Sequence, residues 1–317
     1  MKKVIAIMLA LLMTAALCAC SGNTPGKPQG DKTAAPDVQP GSTSVPGGSD
    51  ETAAPGEDPT PSGAEPEPVA GSEGLRIKEY DDSCIIADIG TFSGTELIVP
   101  SHYNGKPVTS IDEDALSNDT MTSLFIPWTI RSIGEDAVSG SQKLETVTFS
   151  EGLLGIGYGA FGSCFSLKSV TLPSTLERVG NSAFRECTAL EEVTITGNPD
   201  IGNNAFLSCS SLKKVTFTGN LGTVYSLKNS AFEFDASLEE VVFAEGLETI
   251  GAFSFSGCSS LGRIVLPASL KKIEASAFYD TGSLKVFYAG SEDQWKSVEI
   301  ASGNDTLKSA EITYDYK

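Results

Sequence analysis

Histidine is almost missing from this chain, with one residue, His102, among 317. General acid–base catalysis and His-activated nucleophiles both lean on imidazole, so a lone His with no convergent acid–base set argues against an enzyme. P-loop, zincin and nucleophile-elbow patterns are missing too. Positive charge is also short: 22 Lys and Arg face 41 Asp and Glu, for a formal net charge of −19. Such an acidic body repels nucleic acid and anionic lipid headgroups, which excludes both as partners and favours solubility. Between Ser21 and about Ser72, aromatic and branched aliphatic residues nearly vanish, as in "AAPGEDPTPSGAEPEPVAG". A segment of this composition cannot bury enough apolar surface to offset the entropy of ordering it, and a disordered stalk is expected.

What is present begins with an address. Lys2 and Lys3 precede an apolar run from Val4 to Leu17. A basic start followed by an apolar stretch too short to span a bilayer is an export signal. The run closes on Leu17-Cys18-Ala19-Cys20, which resembles the bacterial lipobox. The resemblance implies that Cys20 is the lipid attachment residue and that the mature protein stays tethered outside the membrane, with the lipid as its only membrane contact. The boundaries expected are a lipoprotein signal peptide over 1–19, lipidated Cys20 and stalk over 20–72, an N-terminal cap over 73–107, a repeat array over 108–287 and a C-terminal cap over 288–317.

The array declares itself by recurrence. "IDEDAL", "IGEDAV", "IGYGAF", "VGNSAF", "IGNNAF", "LKNSAF", "IGAFSF" and "IEASAF" end at Leu116, Val138, Phe161, Phe184, Phe206, Phe232, Phe255 and Phe278, with steps of 22 to 26 residues. Units of this length cannot hide their own apolar face and must stack on their neighbours. After each Phe come triads such as Leu167, Val170, Leu172 and Leu190, Val193, Ile195, whose last two members share one side of an extended strand. Pro127, Pro173 and Pro267 end such strands because proline has no donor for a continuing ladder. The expected fold is a β-rich leucine-rich-repeat solenoid of about eight repeats, in which each row is one coil.

Cysteine follows the same period. Cys164, Cys187, Cys209 and Cys258 each stand three residues after the Phe, where other rows carry Asp119, Ser141, Asp235 and Thr281. A catalytic nucleophile would occur once, and metal sites need paired ligands at short spacing, so a packed column of small apolar residues is expected. Adjacent coils would bring neighbouring Cys within disulfide reach, with parallel Cβ vectors that suit the bond poorly. Reduced thiols are expected, with Cys84 buried separately. The acidic Asp112, Glu113, Asp114 and Asp119 lack the ligand spacing of a calcium loop and read as solvated turn. No cofactor is expected.

"SLKSVTLPSTLERVGNSAFRECTAL", Ser166 to Leu190, resembles the repeat of the BspA-like bacterial surface leucine-rich-repeat family. The resemblance covers about Val108 to Leu284, and the flanking segments Ile85 to Ile111 and Tyr288 to Tyr316 are similar to the family's opening and closing units. It implies a surface-exposed bacterial protein of the adhesin or binding type, engaging an extracellular protein or glycan, and it brings no catalytic residues and no named ligand. Trp295 reads as cap core.

If the apolar triads face inward, Phe125, Thr148, Thr171, Thr194, Thr216, Val242, Val265 and Tyr288 form one outward column, the candidate ligand surface. Trp128 joins Phe125 as a possible aromatic contact beside Pro127. A second outward column, Ser123, Thr146, Ser169, Glu192, Lys214, Glu240, Arg263 and Val286, alternates charge and is expected to satisfy itself. The step of 26 around Tyr225 reads as a tolerated loop. Recognition of protein or glycan is the leading function, and a structural envelope or biofilm scaffold touching wall polymer or itself is the alternative.

Overall fold

The structure, a computed structural model, describes residues 66–219 and 224–317. The signal segment, Cys20 and the stalk to residue 65 lie outside the described residues. Residues Ala64–Lys317 form one compact unit.

Each coil supplies a strand to two parallel ladders. The first contains ten strands: Glu96–Ile98, Ser123–Ile126, Thr146–Phe149, Ser169–Leu172, Glu192–Ile195, Lys214–Phe217, Glu240–Val242, Arg263–Leu266, Lys285–Tyr288 and Glu311–Thr313. The second runs through shorter strands such as Ser132–Ile133, Arg178–Val179 and Leu247–Ile250, and opens on an antiparallel hairpin of Arg76–Glu79 with Cys84–Asp88. Eight repeats thus become ten rungs, because the capping segments at both ends continue the first ladder instead of only covering it. The helix Glu292–Lys296 closes the far end with a capping box, in which Gln294 N donates to Ser291 Oγ and Ser291 N to Gln294 Oε1. Trp295 is buried there against Tyr288, at 5.1 Å between ring centroids, which is the cap role expected of it.

Between the ladders lies a column of six fully buried rings, Phe161, Phe184, Phe206, Phe232, Phe255 and Phe278. Successive centroids are 5.1 to 5.6 Å apart and nearly parallel. The coil rise, about 4.8 Å, sets that spacing. Leu116 and Val138 end the column without rings, and Phe149 meets Phe161 edge-on at 5.6 Å where the stack stops.

The cysteines have a structural part. Cys187 Sγ donates to Phe161 O at 3.2 Å, Cys209 Sγ to Phe184 O at 3.2 Å and Cys258 Sγ to Phe232 O at 3.1 Å, while Cys164 Sγ donates to Val138 O at 3.5 Å. Each thiol therefore ties its coil to the carbonyl of the preceding one. All four, and Cys84, are free and buried, and burial pushes the Cys164, Cys209 and Cys258 thiols well above the ordinary range.

The Gly of the recurring Ile-Gly pair marks close approach of coils. A Cβ on Gly157 would stand 2.6 Å from Gly134 O, and one on Gly180 2.5 Å from Gly157 O.

Two expectations are corrected. Val69 to Ser72, assigned above to the disordered stalk, are bonded to the body: Ser101 N donates to Val69 O at 3.1 Å, Ser72 N to Ile98 O at 2.8 Å and Ile98 N to Ser72 Oγ at 2.9 Å. These contacts lie along the open edge of Glu96–Ile98 and satisfy ladder groups that would otherwise be unpaired. Tyr225 belongs to a strand and not to an inserted loop; it is buried, stacks on Phe217 at 5.6 Å and donates its hydroxyl to Ala244 O at 3.1 Å. An amphipathic ring with a partner for its polar tip is the chemistry of a buried tyrosine. Residues 220–223 of the long row lie outside the described residues.

Candidate functional site

The strand alternation that buries Val170 and Leu172 leaves Ser169 and Thr171 outside. In-register pairing carries this along the first ladder, so Phe125 sits beside Thr148, Thr171 beside Thr194, Thr194 beside Thr216 and Thr216 beside Val242. The column begins one rung earlier than expected, at Ile98, which pairs with Phe125 and is exposed. "ELIVP" at 96–100 carries the same Leu, apolar, apolar, Pro sequence as "SLFIP", the signal by which Ile98 could have been found.

At the other end the register corrects the candidate surface. Val265 pairs with Phe287, and Leu266 with Tyr288. The step is 22 residues there, so Tyr288 points inward and is 1% exposed, while Phe287 takes the outward place; Lys285 likewise replaces Val286 in the charged column. Val265 itself is 9% exposed. Beyond it the outer face is filled: the Arg263 guanidinium lies 4.6 Å over the Phe287 ring, Arg263 Nη2 donates to Tyr316 Oη at 2.9 Å, and the Phe287 and Tyr316 centroids are 5.0 Å apart. The C-terminal third of the column is therefore packed by the chain's own tail.

Trp128 does not join the column. It follows the strand, beyond Pro127, half-buried and tilted 58° to the His102 ring at 5.9 Å, with its indole Nε1 buried and without a hydrogen-bond partner among the described residues.

What stays open is the N-terminal half. A depression of about 410 Å³ is lined by Thr148, Phe149, Glu151, Ser169, Thr171, Pro173 and Thr196, with Val147 at its floor. Glu151 is held rigidly: Ser174 N donates to its Oε1 at 3.2 Å, and Ser174 Oγ and Thr175 N to its Oε2 at 2.9 and 3.2 Å. Partial burial alone would raise this carboxyl, but those hydrogen bonds outweigh it and hold the group below the usual carboxylate range. Beside the column, charges pair along the ladder: Lys168 with Glu145, Lys213 with Glu191 at 2.8 Å, and Glu240 between Lys214, at 3.3 Å, and Arg263. The strip offers hydroxyls, methyls and one fixed carboxylate, and of the charged column beside it Lys214, Glu240 and Arg263 pair while Glu192 has no ion-pair partner among the described residues. Among the described residues no cluster of His, Cys, Asp or Glu could hold a metal, and no helix is long and apolar enough to cross a membrane.

Two parallel ladders, with a column of six rings and a column of small residues packed between them, define a leucine-rich-repeat solenoid. The chain belongs to the BspA type leucine rich repeat family, whose profile matches residues 109–228 and 225–313 in six copies. The crystal structure of a leucine-rich-repeat protein of T. pallidum is similar with a TM-score of 0.54 and 26% identity, over 60% of this chain and 89% of that one. A leucine-rich-repeat protein of Bacteroides ovatus matches with a TM-score of 0.49 and 20% identity, over 77% of this chain and 70% of that one. No curated protein sequence matches.

Proposed function

We propose that this is an exported recognition protein, anchored through a lipid on Cys20 and displayed on the outside of the bacterial cell, whose first-ladder face engages an extracellular protein or glycan in adhesion. The observation that carries the reading is the open strip from Ile98 to Thr216 with the depression at Thr148 and Thr171, whose one charged lining group, Glu151, is held by hydrogen bonds from the next coil, all on the regular ladder of a parallel sheet. Rigid presentation keeps the ordering cost of binding low, and display of many copies on one surface multiplies weak contacts through avidity.

The test is binding of the unit 64–317 to matrix proteins, mucins, glycans and wall polymers, with Thr171→Arg and Phe125→Ala alongside. Saturable binding to one extracellular molecule, reduced at least tenfold by Thr171→Arg with an unchanged melting temperature, supports adhesion through this face. Binding only to wall polymer or to itself would replace it with an envelope scaffold.

A further inference from the structure

On the side of each coil between the two ladders, the chain makes a tight turn around the buried Phe. Two positions in that turn, two residues before and two after the ring, adopt positive φ in coil after coil. The first is filled by Asp114, Asp136, Gly159, Ser182, Asn204, Ser230 and Ser276, and the second by Gly140, Ser163, Glu186, Ser208, Gly257 and Asp280. Gly, Asn and Asp visit this region routinely, and the small Ser shares the turn chemistry. Three residues depart from that set: Glu186, whose carboxylate accepts from Ser163 Oγ at 3.2 Å and Arg185 Nη2 at 2.8 Å, and one aromatic residue in each of two adjacent coils. Phe234 has φ 64° and Phe253 φ 59°, and a bulky residue in this region is an outlier that points to function.

Neither ring repays its strain by burial. Phe234 is 56% exposed, Phe253 44%, and Tyr279 in the next coil 61%. The turns that carry the three are joined by backbone hydrogen bonds: Phe234 N donates to Ser256 O at 2.8 Å, Ser256 N to Phe253 O at 3.0 Å and Gly257 N to Tyr279 O at 2.9 Å. A Cβ on Gly257 would stand 2.8 Å from Phe234 Cδ1, so the ring lies across bare backbone. Glu233 and Asp280 flank the rings and have no ion-pair partner among the described residues; the turn segments 250–259 and 273–282 contain no Lys or Arg, and the turn that carries Phe234, residues 227–236, contains a single cation, Lys228, six positions before the ring.

We propose that Phe234, Phe253 and Tyr279 form a second binding site, distinct from the first-ladder face, for an arginine-bearing segment of a partner protein. Exposed aromatic faces attract guanidinium groups, and unpaired carboxylates beside them complement the same charge on a chain of net charge −19. A second copy of this chain is a poor occupant, because three partly exposed rings offer under about 500 Å², short of the roughly 800 Å² per partner of a stable interface.

The experiment is fluorescence polarisation of a labelled octa-arginine peptide titrated with 64–317, octa-lysine and cellohexaose serving as comparison probes. The variants are the triple Phe234→Ser, Phe253→Ser, Tyr279→Ser, the pair Glu233→Gln, Asp280→Asn, and Thr171→Arg. Expected are saturable binding of octa-arginine tighter than octa-lysine, a loss of at least tenfold in the triple variant with an equal or higher melting temperature, a smaller loss with weaker salt dependence in the carboxylate pair, and no loss in Thr171→Arg. Octa-arginine binding that survives the triple variant would reduce the effect to bulk charge and overturn the proposal. So would cellohexaose binding lost in the triple variant, which would make the rings a sugar platform, or a lowered melting temperature of that variant, which would make them packing elements.

Discussion

Asp235 occupies the cysteine column of the sixth coil and is completely buried. Its Oδ1 accepts from Cys209 N at 2.7 Å, and its Oδ2 has no partner. Burial drives this carboxyl far above the ordinary range, so the folded state holds a neutral acid where the unfolded chain ionises near pH 4. The stability Asp235 allows is complete below that pH and is lost as pH rises toward its folded value. Asp235→Asn keeps the acceptor for Cys209 and removes the titration. At pH 7 the variant should be more stable by about 1–3 kcal/mol, with the gain shrinking toward zero below pH 4, as thermal melts across pH would report. A variant that melts lower at pH 7 would give the carboxylate a partner outside the described residues.

At the scale of the element, the turn that leaves each first-ladder strand uses one device twice. Glu151 receives hydrogen bonds from Ser174 and Thr175 of the next coil, and Glu245 receives them from Ala268 N at 2.9 Å and Ser269 N at 3.3 Å. In return Gly152 N donates to Thr175 Oγ1 at 2.8 Å and Gly246 N to Ser269 Oγ at 2.9 Å, with Gly152 and Gly246 at φ 111° and 106°. "SEGL" and "AEGL" thus clamp "LPSTL" and "LPASL" one coil on. Because Glu151 is held below its ordinary range, its contribution is present above about pH 4.5 and is lost as pH falls through the folded value. Glu151→Ala should lower stability at pH 7 by on the order of 1 kcal/mol, the charge being solvent-screened, and the difference from wild type should narrow in acid. Equal denaturation curves at pH 7 would rule the clamp out as a stabilising element.

For the whole molecule the edges matter most, since a stack of parallel strands ends in unpaired backbone. At the C-terminal end, Glu311 and Lys285 put charge on the last rungs of the first ladder, 3.9 Å apart, and at the N-terminal end Val69 to Ser72 cover the strand Glu96–Ile98. Charge and cover are both ways of keeping strand edges from pairing with another chain. A fragment beginning at Glu73 should therefore self-associate at concentrations where 64–317 stays monomeric, which sedimentation velocity would resolve. Equal sedimentation of the two would assign edge protection to the charges alone.

Much of this protein could be read from the chain because a solenoid makes sequence period and spatial contact the same thing: each coil touches only its neighbours, so Phe161, Phe184 and Phe206 recur in sequence and stack in space. The inward and outward columns from Phe125 to Val242, the packed cysteines and the buried Trp295 follow from that identity. Only the tertiary structure decided what depends on an irregular step or on contact between unlike coils. A 22-residue interval turned Tyr288 inward and put Phe287 in its place, and a segment with stalk composition became ordered because an open strand edge offered it hydrogen bonds. Asp235 became a buried acid because the column it stands in lies inside the stack, as it does for Ser141, and Phe234 and Phe253 became strained, exposed rings because the backbone of the turn is set by the stack, whatever side chain occupies it.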